Sequence, residues 1–118
     1  VFDRDHWTRE QLGDAIDRCE REGFGVALSN PCFELWLLLH LADPRRFRDA
    51  DDCIAELGRL LGHYDKTNYD VRKFLPGLRP AIDRASGGET APKNLVENQG
   101  TAVFRIPLSL QRHGLAIT

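Results

Sequence analysis

The sequence predicts an α/β fold in one domain: a parallel βαβ core over residues 1–42, then a mainly helical part over residues 43–118. Three observations predict it. Two short apolar runs, Val1-Phe2 and Gly25-Val26-Ala27-Leu28-Ser29, read as buried strands. Between them Leu12, Ile16 and Cys19 recur at helical spacing among charged residues. Beyond residue 42 the apolar positions fall mostly at helical spacing.

Val1-Phe2 runs into an acidic turn, Asp3-Arg4-Asp5. Thr8 is a helix cap, the helix covers roughly residues 8–22, and Gly23 suits its stop. Strand, helix and strand within about 30 residues make a unit with parallel strands. Asn30-Pro31 then opens a helix, with Asn as cap and Pro at the first position. From Cys32 to Leu41 that helix is apolar nearly all round, which predicts burial on most sides. Ala42-Asp43-Pro44 ends it.

Cys53, Ile54, Leu57, Leu60 and Leu61 predict an amphipathic helix over 50–61, stopped by Gly62. A polar, aromatic loop follows with His63, Tyr64, Lys66 and Tyr69, and then a helix that is firm only from Leu78, after Pro76-Gly77. Residues 86–94 are a loop. In the tail a short helix is expected to end before Pro107.

At 118 residues, 42% hydrophobic and 29% charged, the chain can build a real core. Its net charge of −2 excludes a generic polycationic nucleic-acid binder and leaves room for a local basic groove. Charge is uneven. Residues 1–60 hold 8 Lys/Arg against 13 Asp/Glu, and residues 61–118 hold 8 against 5. That split suits a metal-binding acidic half and a phosphate-binding basic half, or simply solvated helix faces.

Three cysteines, Cys19, Cys32 and Cys53, without a CxxC pair, argue against a disulfide framework or zinc ribbon and for a cytoplasmic location. No signal peptide is visible, and Leu35–Leu39 falls far short of the ~20 residues that span a bilayer, so no membrane partner is expected. The chain lacks methionine and opens on a strand end, so it reads as part of a longer protein.

The candidate chemistry begins at Asp3 and Asp5. Residues two apart on an extended segment point the same way, so both carboxylates can face one site, where Mg²⁺ finds oxygen ligands. A harmless acidic turn has the same sequence. Glu34 is a carboxylate in an apolar helix and needs a partner or a metal. The bland alternative is a salt bridge. His6 lies beside the acidic pair, either as a proton shuttle or as a helix-entry residue. His40 reads as a core histidine.

Lys66 and the arginines at 45, 46, 48, 72, 79 and 84 are candidate phosphate contacts, although single basic residues are usually surface solubilisers. No nucleophile elbow or Walker loop occurs. A zinc site from Cys32 and His40 fits no common spacing.

The string Ser29-Asn30-Pro31-Cys32-Phe33-Glu34-Leu35-Trp36-Leu37-Leu38-Leu39-His40, with Val1-Phe2-Asp3-Arg4-Asp5 upstream, resembles the RloB-like family. Tyr64-Asp65-Lys66 is similar to that family's Tyr-x-Lys segment. Asn98-Gln99-Gly100-Thr101 is similar to its Asn-Pro-x-Thr signature, with Gln99 in place of proline.

The resemblance implies a Toprim-type fold, a parallel sheet flanked by helices. It implies a nuclease cleaving DNA or RNA in anti-phage defence or abortive infection, beside an ATPase partner. Asp3 and Asp5 would hold Mg²⁺ or Mn²⁺, with Glu34 as third ligand and Lys66 stabilising charge on the phosphate. The family's early glutamate lies on a preceding strand outside this sequence. The alternative is a non-catalytic module that binds a partner, with the acidic pair as a structural cap; oligomers fit either reading.

Overall fold

The structure, a computed structural model, describes residues 1–114. Strand β1 (Phe2–Asp3) leads through a 3-10 turn (Arg4–His6) to helix α1 (Arg9–Arg21). Thr8 caps α1 reciprocally: its hydroxyl accepts the Gln11 amide at 3.1 Å, and the Gln11 side chain accepts the Thr8 amide at 2.9 Å. Leu12 and Ile16, one turn apart, are fully buried.

Strand β2 (Leu28–Asn30) pairs parallel with β1 in the register Phe2 with Leu28 and Asp3 with Ser29. The apolar run therefore pairs only from Leu28, and Gly25 stays exposed.

The sheet is not purely parallel. A third strand, β3 (Gly100–Thr101), pairs antiparallel with β2, giving the order β1-β2-β3. Two residues are too few to show strand periodicity, so the sequence carried no signal for it. The buried hydroxyls of Ser29 and Thr101 hydrogen-bond at 2.7 Å, which removes the cost of burying either alone.

Asn30-Pro31 does not cap a helix. That peptide is cis, and helix α2 (Glu34–Leu39) starts three residues later, with Phe33 at the cap position. As its all-round apolarity predicts, every residue of α2 is buried. It ends at Leu39, where the Arg84 guanidinium donates to the Leu39 carbonyl at 2.6 Å.

Helix α3 (Ala50–Leu61) begins at Asp49, whose side chain accepts the Asp52 amide at 2.9 Å, and stops before Gly62 at φ +81°. Two 3-10 turns, Val71–Lys73 and Leu75–Gly77, precede helix α4 (Leu78–Ser86). Gly77 touches the end of α2: a Cβ there would lie 2.0 Å from the His40 carbonyl oxygen.

A single turn, α5 (Pro92–Leu95), lies in the expected loop region. Helix α6 (Arg105–Arg112) runs through Pro107. The proline holds the third helical position, where an amide has no partner within the helix, so its missing N–H costs nothing.

The main core surrounds α2. Leu35, Trp36 and Leu38 pack with Cys53 and Leu57 of α3 and with Ala81, Ile82 and Ala85 of α4. A smaller cluster joins Leu12 and Ile16 of α1 to Leu28, Leu95 and Ala102. No helix among the described residues is long and apolar enough to cross a membrane.

Candidate functional site

Because β1 and β2 run parallel, their carboxyl ends share one edge of the sheet, the edge where open α/β folds place ligands. Asp3 is the last residue of β1, and α2 starts just beyond β2. Asp3 Oδ1 accepts the Phe33 amide at 2.9 Å, so its carboxylate sits on the first turn of α2.

After Asp3 the chain winds into the 3-10 turn, and the two carboxylates of the acidic turn take different backbone partners. Asp5 Oδ2 accepts the amide of Ala50, the first residue of α3, at 3.2 Å. The Asp5 amide itself donates to the Pro31 carbonyl at 3.1 Å. Alternation holds only while the backbone stays extended, and here extension ends at Asp3.

The structure brings Asp3 to Glu34 instead. Glu34 is only 3% exposed, and burial holds its carboxyl above the ordinary range. The neighbouring Asp3 charge pushes the same way, while Lys66, the Tyr64 hydroxyl and the Cys32 thiol oppose it. Tyr64 donates to Glu34 Oε2 over a long 3.4 Å. Burial, then the Glu34 charge, push the Tyr64 phenol up, so it stays a donor at neutral pH. Lys66 is exposed and supplies the site's positive charge from the loop after α3.

His40 is half-buried at the end of α2 and packed against the core. Its Nδ1 pairs with the Trp36 carbonyl at 2.9 Å, and its ring stands edge-on to Trp36 and Phe74. Burial lowers its pKa. Cys32 neighbours Glu34 and the Cys53 thiol. His6 is exposed in the 3-10 turn.

Several of the candidate arginines have carboxylate partners: Arg45 with Glu56 at 3.0 Å, Arg72 with Asp70 at 2.9 Å and Arg84 with Asp43 at 3.2 Å. Gln99 stands where the resemblance expects proline, and it holds the basic loop. Its side chain accepts the Phe47 amide at 2.8 Å and donates to the Arg45 carbonyl at 2.6 Å.

Sequence reasoning gave no contact role to Tyr64, Cys32 or Gln99. Tyr64 lies 30 positions from Glu34 and Gln99 lies 52 from Phe47, so no local pattern joins them.

Among the described residues, no group of three His, Cys, Asp or Glu side chains is placed to hold a metal ion. The chemistry of the closer pair nevertheless fits one. A buried carboxylate whose proton affinity is raised by burial and then by a second carboxylate's charge suits a hard cation that fills its shell with water and phosphate oxygens.

Fold and site together define a small mixed α/β domain with a buried glutamate just beyond the carboxyl edge of its parallel strand pair. The chain belongs to the RloB-like protein family, whose sequence profile matches residues 1–106. No curated protein and no solved structure matches the chain.

Proposed function

We propose that this domain belongs to a metal-dependent nuclease that hydrolyses phosphodiester bonds in DNA or RNA. The observation that carries the reading is the buried Glu34 carboxylate at the carboxyl edge of the sheet, whose ionisation the Asp3 charge opposes and the Lys66 charge favours. Such a pair is costly without a cation, and sites of this kind are where perturbed carboxylates do chemistry.

Asp3 and Glu34 would hold Mg²⁺ or Mn²⁺, and Asp5, as placed, anchors α3 beside them. The ion supplies Lewis-acid polarisation of the phosphoryl oxygen. Tyr64 orients the Glu34 carboxylate through its hydroxyl. Lys66 stabilises negative charge that develops on the phosphate. The defence setting, the ATPase partner and the Toprim assignment rest on the family resemblance, and the cytoplasmic location on the free cysteines.

One observation favours a non-catalytic, partner-binding module. Asp3 and Asp5 each accept a backbone amide at a helix start, as purely structural caps do. Metal dependence separates the readings. Titrated by calorimetry with Mg²⁺ or Mn²⁺, with an oligonucleotide present, the protein should bind the ion and Asp3→Asn should lose it. Cleavage of DNA or RNA that continues without metal, or unchanged in Asp3→Asn, would sink the nuclease reading.

A further inference from the structure

The loop between α2 and α3 carries three arginines, Arg45, Arg46 and Arg48, and its backbone is held from several places in the chain. Gln99 accepts the Phe47 amide at 2.8 Å and donates to the Arg45 carbonyl at 2.6 Å. Arg45 is itself a staple. It donates to the Arg46 carbonyl at 3.0 Å, pairs with Glu56 and lies over the Phe47 ring at 4.1 Å. Asp52 accepts the Arg48 amide at 3.0 Å, and Asp5 accepts the Ala50 amide at 3.2 Å.

The other two guanidiniums stand outside this network. Arg46 is exposed, and among the described residues its side chain has no carboxylate partner. Arg48 is 88% exposed and reaches Asp52 only at 3.9 Å. The neighbouring carboxylates are engaged: Asp43 pairs with Arg84, and Asp49 and Asp52 accept amides around the start of α3. The loop is also tied to the acidic site. Asp5, which holds Ala50, lies two residues from Asp3, a span of at most ~7 Å. The Asp5 amide donates to the carbonyl of Pro31, three residues before Glu34, at 3.1 Å.

We infer that Arg46 and Arg48 grip the phosphate backbone of the nucleic acid on one side of the Asp3 and Glu34 site. The inference rests on the nuclease reading above. A guanidinium offers phosphate both charge and paired N–H donors. Such contacts position a strand without reading its bases. A backbone already fixed lowers the entropy lost when its side chains bind. The two arginines give a chain of net charge −2 a local hold on a polyanion.

Salt dependence is the readout. Labelled DNA and RNA of about 12 nucleotides, single-stranded and duplex, would be titrated with the full chain in EDTA at about 50–200 mM KCl, following fluorescence anisotropy. At least one should bind. Arg46→Gln/Arg48→Gln should weaken it about tenfold. The slope of log affinity against log salt should flatten by about 1.4 for a single strand or about 1.8 for a duplex. Arg46→Lys/Arg48→Lys should keep the wild-type slope, because the slope counts neutralised phosphates. Arg18→Gln/Arg21→Gln removes the same charge toward the far end of α1, where Arg21 lies about 18 Å along the helix from Arg9, and should change neither quantity. Circular dichroism should match the wild type in every variant.

No binding by any strand, equal weakening by the α1 pair, or an unchanged slope in Arg46→Gln/Arg48→Gln would overturn the assignment. So would a lysine pair that flattens the slope as glutamine does. Working in EDTA separates the two claims. A slope that flattens as expected, without metal-dependent cleavage by the wild type, would remove the nuclease reading and keep the loop as a phosphate-backbone contact. Metal-dependent cleavage with an unchanged slope would do the reverse.

Discussion

Asp3 accepts the Phe33 amide at 2.9 Å and thereby sits beside Glu34, so two carboxylates from opposite ends of a βα unit share the first turn of α2. The arrangement costs stability, because burial and the Asp3 charge both oppose ionisation of Glu34. A site that sacrifices stability for a charge pair is expected where the pair has work to do.

Glu34→Gln should therefore stabilise the protein at neutral pH. An acid held above its ordinary value of 4.5 binds its proton more tightly folded than unfolded. Stability thus falls as pH rises from 4.5 through the folded value, and the loss is complete above it. Thermal melts should show Glu34→Gln with the higher Tm at pH 7 and the two proteins converging near pH 4. A wild type that melts higher at pH 7 would show that Glu34 is fully compensated in the resting protein.

Asp3 and Asp5 should separate in function. Asp3→Asn should abolish calorimetric binding of Mn²⁺, whereas Asp5→Asn should keep it and lose about 1 kcal/mol of stability through its weakened cap at Ala50. Equal loss of metal binding in both variants would mean that Asp5 swings into the site when the ion arrives.

His40 works in the opposite direction to Glu34. Burial lowers its pKa, so the unfolded chain takes up the proton first. Its contribution is present above 6.5 and is lost as pH falls through the folded value. Nuclear magnetic resonance of the imidazole should show a neutral ring at pH 6.5, and a ring that titrates at or above 6.5 would contradict the packed geometry.

Gly77→Ala should be among the most damaging small substitutions. The new methyl would meet the His40 carbonyl oxygen at 2.0 Å, and that atom is backbone, with no flexible side chain to give way. A loss of about 2–3 kcal/mol in urea unfolding is expected from such overpacking, and an unchanged midpoint would show that the junction of α2 with the Leu75–Gly77 turn is loose.

Thr101→Val should cost about 1–3 kcal/mol despite its matched shape, because it strands the buried Ser29 hydroxyl and the Val103 amide. Denaturant unfolding of Thr101→Val and of the Ser29→Ala/Thr101→Val pair checks it: the double variant should recover part of the loss.

The sequence by itself determined the features that repeat locally. Thr8 and the spacing of Leu12 and Ile16 fix α1, Asp49 and the Cys53–Leu57 spacing fix α3, and the all-round apolarity of α2 fixes its burial, because caps and periodicity act within a few turns. The resemblance carried by residues 29–40 likewise led to the family.

Only tertiary structure decided the rest. A two-residue strand from the far end of the chain turned the parallel pair into a mixed sheet. Helix α2 starts at Glu34, three residues beyond the Asn30-Pro31 pair. The 3-10 turn gave Asp5 a different amide partner from Asp3, and packing of the loop after α3 brought the Tyr64 hydroxyl to Glu34. These contacts join residues 30 or more positions apart, and the physical term that selects them, burial of one shared core, has no period along the chain.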